Sequence, residues 1–276
     1  MPPHPLLDAV SVDLLEPYLT DVGEIFRAFR EQDSGCVSYG VEVAGERWFV
    51  KGSTTPAAAE SLRRAVHVHS VTQHPAIIPL RHHFAVRDGL ALVHPWVDGQ
   101  VLYQPTARRH GGRDAPDSPM ARFRSLPVEE ILRAVDAVLD AHVAVERAGL
   151  VAVDFYDGCL LYDFDGRRMR LCDLDEYRPG PFTLTADRLP GSRRFMSPEE
   201  FTRGAVIGTR TTVHTLGRAL RLLLDAGDEE RCWRGDSAQL AVIERATSAD
   251  PALRHPTVEA LTRHWRAVAR PTLPTS

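Results

Sequence analysis

Hydrophobic residues alternate in the early part of the chain and recur at helical spacing in the later part. Val37, Tyr39, Val41 and Val43 stand two apart, the period of a half-buried strand. Ala44-Gly45-Glu46 turns this strand into a second one, Arg47 to Lys51. Residues 57–73 are Ala-rich and predict a helix, closed by His74-Pro75 because the residue before proline is pushed out of helical geometry. Strands are expected around Ile77–Leu80 and Phe84–Leu92, the latter broken by a hairpin signal at Asp88-Gly89. Ahead of them, residues 1–31 read as a helical lead-in carrying Leu14, Leu15, Tyr18, Val22, Ile25 and Phe26.

From Pro127 the period changes. Leu132, Val135, Leu139 and Val143 fall on one helical face. A short hairpin follows, Leu160–Phe164 and Met169–Asp173 about a turn at Asp165-Gly166. Leu216, Leu220 and Leu223 mark another helix, and residues 237–247 and 257–268 two more. Between these regimes, residues 103–125 are polar, rich in Gly and Pro and without period, which favours a disordered surface insertion. Strands first and helices later argue for an α+β protein, a strand-rich lobe joined to a helical one.

Composition narrows the function. With 276 residues, 43% of them apolar, the chain can bury a sizeable core. A formal charge of −4 gives no reason to expect a nucleic-acid partner. No apolar run approaches a membrane span, and MPPHPLLDAV lacks a signal pattern. The four cysteines lie far apart and read as reduced thiols, which points to the cytoplasm. His67, His69, His82 and His83 do not suggest a metal, since residues two apart on a helix face apart. Of 33 basic residues only Lys51 is a lysine, and there is no Asn anywhere. A lone lysine amid arginines marks a place where a compact ammonium does what a guanidinium cannot.

Seven segments, in order, then carry a resemblance. Phe49-Val50-Lys51 is followed by His74-Pro-Ala-Ile-Ile-Pro-Leu80, His94-Pro-Trp-Val-Asp-Gly99 and Gly149-Leu-Val-Ala-Val-Asp154. Cys172-Asp173-Leu174-Asp175, Gly191-Ser-Arg-Arg-Phe-Met-Ser-Pro-Glu199 and Asp250-Pro-Ala-Leu-Arg254-His-Pro-Thr257 complete the set. From Gly35 to Trp265 the chain resembles the protein kinases, and each segment matches one of that family's motifs in the family's order.

The resemblance implies a protein-kinase-like two-lobed fold, with a small antiparallel-sheet lobe at residues 1–97 and a larger helical lobe at 98–276, the two forming one domain. It implies ATP and Mg²⁺, a protein substrate, and no nucleic acid or membrane. Lys51 would hold the α- and β-phosphates, Asp173 would bind Mg²⁺, and Asp154 would accept the proton of the attacking hydroxyl or simply orient it. Gly35, Val37, Pro95, Val97 and Leu161 would line the nucleotide. Glu199 and Arg254 would form a buried structural ion pair. Ser192 favours Ser or Thr acceptors over Tyr.

Several positions depart from the family's pattern. The glycine-rich loop is reduced to Gly35-Cys36-Val37, so backbone cradling of phosphates should be weaker. The helix after Lys51 offers Glu60, either as its ionic partner or as a solvated glutamate. Ala152-Val153 replace the usual His-Arg, and Thr212 stands where an aspartate anchors the catalytic loop. Cys159 replaces the asparagine that binds a second metal. Asp157 or Asp175 would take over that task, Asp157 in preference, although a turn residue before Gly158 is an equally ordinary role for it. The expected activity is a serine/threonine-protein kinase. The alternative is a pseudokinase, a binding or scaffolding module with little or no transfer.

Overall fold

The alternation read from the early sequence becomes a twisted sheet, and the computed structural model describes residues 3–30, 32, 34–87, 89–104 and 112–269. Asp88 of the expected hairpin turn and residues 105–111 of the expected insertion lie outside those residues. The protein is α+β, with a mixed sheet and seven α-helices among the described residues. It divides into two units, Met1–Gln73 with Ile78–Asp98, and His74–Ile77 with Gly99–Ser276.

The first unit contains β1 (Ser11–Val12), α1 (Leu15–Val22), β2 (Glu24–Phe29), β3 (Cys36–Val43), β4 (Glu46–Ser53), α2 (Pro56–Val71), β5 (His82–Val86) and β6 (Gly89–Pro95). Its sheet runs β1-β5-β6-β4-β3-β2, antiparallel except for the parallel pairing of β1 with β5. Period two gives each face its own core. One face buries Tyr39, Val41, Val50, Phe84 and Val93 beneath Leu6, Leu15 and Leu19 of the N-terminal segment. The other buries Cys36 and Leu92 against Ala58, Leu62 and Ala65 of α2. Helix α2 starts where Thr55 accepts the Ala58 N–H and Pro56 supplies a preset φ.

Two early expectations change. Residues 1–31 are not one helix: α1 stops at Gly23, and Glu24–Phe29 joins the sheet. A Cβ at Gly23 would stand 2.3 Å from the Glu42 carbonyl oxygen, so only glycine lets the chain turn there onto β3. Ile77–Leu80 forms no strand; Ile77 makes a single bridge to Leu171.

The second unit contains β7 (Gln100–Val101), α3 (Pro119–Arg124), α4 (Val128–Arg147), β8 (Leu150–Val151), β9 (Leu160–Asp163), β10 (Arg168–Leu171), β11 (Arg178–Pro179), β12 (Phe182–Thr183), β13 (Val206–Ile207), α5 (Thr209–Leu224), α6 (Ser237–Ala246) and α7 (Val258–Ala269). Helix α5 is buried nearly all round, from Thr211 through Leu224, and so is the central element of this unit. Residues 112–125 of the expected disordered insertion are ordered: Ser118 caps α3, and Met120, Phe123 and Arg124 are buried. Pro119 and a serine cap outweigh the missing period in so short a helix. Among the described residues no helix is long and apolar enough to cross a membrane.

Candidate functional site

In the first unit the site is a row on one sheet face. Lys51 sits in central strand β4, with Ser38 of β3 on one side and Leu92 of β6 on the other. It is 8% exposed, on the face that α2 covers. The same row holds Phe49, which pairs across strands with Gly40 and His94. Around Phe49 gather Phe29, His94 and Trp96, with ring centroids 6.3, 6.4 and 6.5 Å away, and Phe26 packs edge-on to Trp96 at 4.8 Å. A Cβ at Gly40 would fall 2.6 Å from the Phe26 ring and 2.7 Å from that of Trp96, so glycine there admits the aromatic cluster. The sequence reading missed this cluster. Its signal was the alternation of Phe49 with Lys51, diluted because its other members sit on different strands.

The register moves two expected residues away from Lys51. Val37 pairs with Gly52 and packs with the Leu15 and Val50 cluster, on the opposite face of the sheet. A strand places adjacent residues on opposite faces, so with Ser38 opposite Lys51, Val37 cannot share its side. Pro95 pairs with Trp48 in the row of Val93, again on the far face. Val97 lies past the end of β6, half-buried. Gly35 has a φ of +68°, and a Cβ there would stand 2.7 Å from the Thr55 hydroxyl, so it serves close packing against the start of α2. Glu60 is the solvated glutamate of the two readings, 74% exposed and 3.4 Å from Arg64.

In the second unit two aspartates converge on one thiol. Asp154 follows β8, and Asp173 follows β10; both have left-handed backbone, φ 59° and 60°. Between them lies Cys159, whose Sγ–H is 3.4 Å from the Asp154 carbonyl and 3.9 Å from that of Asp173. Positive φ costs a non-glycine residue roughly 1–3 kcal/mol and persists where surrounding structure imposes it. The imposing contacts are visible. The Ala152 N–H donates to Thr212 Oγ1 on α5 at 3.1 Å. Phe155 packs edge-on to His142 of α4 at 4.5 Å. His142 Nδ1–H donates to the Val138 carbonyl at 2.8 Å, which leaves Nε2 to accept the Tyr177 hydroxyl at 2.8 Å. Burial lowers the His142 pKa to about 4, keeping the ring neutral. One side chain of α4 thus braces both the loop after Asp154 and the segment after Asp173. No sequence pattern singled out His142, a polar residue inside an otherwise apolar helical face.

The electrostatics of this loop are acidic. Burial pushes the Cys159 thiol up, and the charges of Asp173 and Asp154 push it further. The Tyr156 and Tyr177 hydroxyls are raised by burial first and then by the same acidic groups. Gly191 closes one side, a Cβ on it falling 3.5 Å from Asp154 Oδ1. Leu161 lies in β9 against Gly99, where a Cβ would come within 2.4 Å of its methyl group.

Asp157, expected as a metal ligand, has another partner. Its carboxylate is 2% exposed and accepts both Nε and a terminal nitrogen of Arg113, at 2.5 and 2.9 Å. Arg113 also lies 3.5 Å above the Tyr103 ring. A metal would have to displace this bidentate guanidinium to use Asp157. Among the described residues no group of three or more His, Cys, Asp or Glu is arranged to hold a metal ion.

The expected Glu199–Arg254 pair is present. Arg254 donates to both oxygens of Glu199, at 2.6 and 2.9 Å, and the Thr211 hydroxyl adds a third bond at 3.0 Å. Burial works to raise the Glu199 carboxyl, but Arg254 outweighs it and holds the group below its ordinary range. No protein-family model matches the chain, and no curated protein is significantly similar to it.

Proposed function

We propose that the protein is a serine/threonine-protein kinase, transferring the γ-phosphoryl group of ATP to a hydroxyl of a protein substrate. The observation that carries this reading is the pair Asp154 and Asp173, both held in left-handed backbone beside the Cys159 thiol. Two aspartates whose backbone is held in this way suit phosphoryl transfer, in which positioning and charge do most of the work. The buried Glu199–Arg254 pair and the Thr212 anchor beneath Ala152 lend the reading further support.

Asp173 is the hard oxygen ligand suited to Mg²⁺, which would neutralise charge on the phosphate oxygens. Cys159 is ill suited to that ion, because a buried neutral thiol is a soft and weak donor. Lys51, on its rigid central strand, supplies a positive charge for the α- and β-phosphates. The aromatic cluster beside it offers flat surface for a nucleobase. Asp154 accepts a hydrogen bond from the acceptor hydroxyl and takes its proton.

A pseudokinase is the second reading, and Cys159 is the observation that favours it, since it brings no oxygen ligand to the loop. Calorimetric titration with Mg·ATP separates the two sets of residues. Lys51→Ala and Asp173→Ala should each weaken binding, whereas Asp154→Ala should leave it largely intact. Unchanged affinity in Lys51→Ala would remove the nucleotide from this reading.

A further inference from the structure

The hairpin that carries Asp173 also sets two cysteines face to face. The paired strands β9 and β10 end at Leu160 and Leu171, and Cys159 and Cys172 are the residues next beyond them on the two chains. The Cys172 N–H donates to the Cys159 carbonyl at 2.9 Å, while the Cys159 N–H turns to the Tyr156 carbonyl at 2.9 Å, so one bond holds the two residues opposite each other. Directly opposed residues of an antiparallel pair project to the same face, with Cα atoms about 5.5 Å apart when hydrogen-bonded. A disulfide spans roughly 4.4–6.8 Å between Cα atoms. The thiols also lean the same way along the ladder: Cys159 Sγ lies 3.9 Å from the Asp173 carbonyl, and Cys172 Sγ 3.9 Å from that of Gly158.

We propose that Cys159 and Cys172 are a modification site, a thiol pair that hydrogen peroxide closes into a reversible disulfide. Cys172 is half-buried and Cys159 is 2% exposed, so Cys172 reacts first. Its sulfur attacks one peroxide oxygen, the O–O bond breaks, and the other oxygen leaves as water, giving a sulfenic acid. Cys159 Sγ then attacks that sulfur, the S–O bond breaks, and the hydroxyl leaves as a second water with the proton of Cys159. The two thiols lose two electrons and peroxide gains them. Neither remaining cysteine lies on this hairpin: Cys36 is buried against α2, and Cys232 is in the segment between α5 and α6.

Closing the bond takes Cys159 Sγ away from the Asp154 and Asp173 carbonyls that it now bridges. On the phosphotransfer reading, which this consequence rests on, the crosslink switches transfer off. Displacements of about 1 Å at such a site commonly cost about 10²-fold in rate.

The test treats the purified chain with hydrogen peroxide, denatures it, alkylates the thiols and maps them by mass spectrometry. The expected result is a crosslinked Cys159–Cys172 peptide, two alkylated cysteines in place of four, and full reversal by dithiothreitol. Cys172→Ser, at a half-buried position that tolerates it, should abolish the crosslink, as should Cys159→Ala. A Cys172 sulfenic or sulfinic acid with Cys159 still alkylated would overturn the proposal. So would a disulfide confined to Cys232 of two copies. Phosphate transfer is assayed on the same samples, where a loss of about 10²-fold is expected on oxidation. A crosslink in a protein that transfers no phosphate in either state would uphold the modification site and refute the kinase. Active protein that never crosslinks would do the reverse.

Discussion

His142 is a buried titratable group with both ring nitrogens committed, and it makes the region's stability depend on pH. Its pKa falls from an ordinary 6.5 to about 4 on folding. Above 6.5 both folded and unfolded chains hold it neutral, and it contributes nothing to the pH slope. As pH falls from 6.5 towards 4 the unfolded chain gains a proton that the folded one refuses, so stability is lost through that window. The full loss is about 3 kcal/mol. Denaturant titrations at a series of pH values should therefore show a steeper decline in the wild type than in His142→Leu. Equal slopes would show that the ring titrates normally. Cys159 offers a second expectation at this scale. Arg113 holds Asp157 away from the missing asparagine's task, so on the proposed kinase reading Cys159→Asn should raise phosphate transfer, most at low Mg²⁺. A fall in turnover would mean that the thiol itself is needed. The buried pair of Glu199 and Arg254 was legible in the sequence because each partner stands at a fixed offset within a motif. His142, Tyr177 and Arg113 were not, since their partners lie 35 or more residues away and no local period announces them.

Period and register decide what each element presents. The sequence pattern located β3 and β4 from alternation alone, yet it could not say which residue faces Lys51. That depends on the turn at Ala44-Gly45, which fixes Val43 opposite Glu46 and carries Ser38 to Lys51. The resemblance placed Val37 at the nucleotide, and the register puts it on the face opposite Lys51. The segment before α3 shows a different failure. Its polar composition looked disordered, but Arg113 reaches Asp157, and in α3 Arg124 reaches Asp228 while Met120 and Phe123 are buried, so ion pairs and apolar burial together order it. Arg113→Ala should cost about 3–5 kcal/mol, because it strands a buried carboxylate. Replacing Asp157 by Ala in the same chain should recover much of that loss. Chemical denaturation of the two variants measures it. A double variant as unstable as the single one would show that packing on Tyr103, not charge, is what Arg113 supplies.

On the proposed kinase reading, the strand-rich unit would supply a buried lysine beside aromatic rings, and the helical unit two aspartates with left-handed backbone. The proposed kinase therefore stands or falls on transfer that depends on Asp154. The most direct measurement incubates the purified chain with γ-labelled ATP and follows label into the protein or a generic protein substrate, with and without Mg²⁺. The account predicts Mg²⁺-dependent labelling of serine or threonine in the wild type, and loss of about 10²-fold or more in Asp154→Ala while Mg·ATP still binds. Nucleotide binding with no label transferred, or labelling that survives Asp154→Ala, would contradict it.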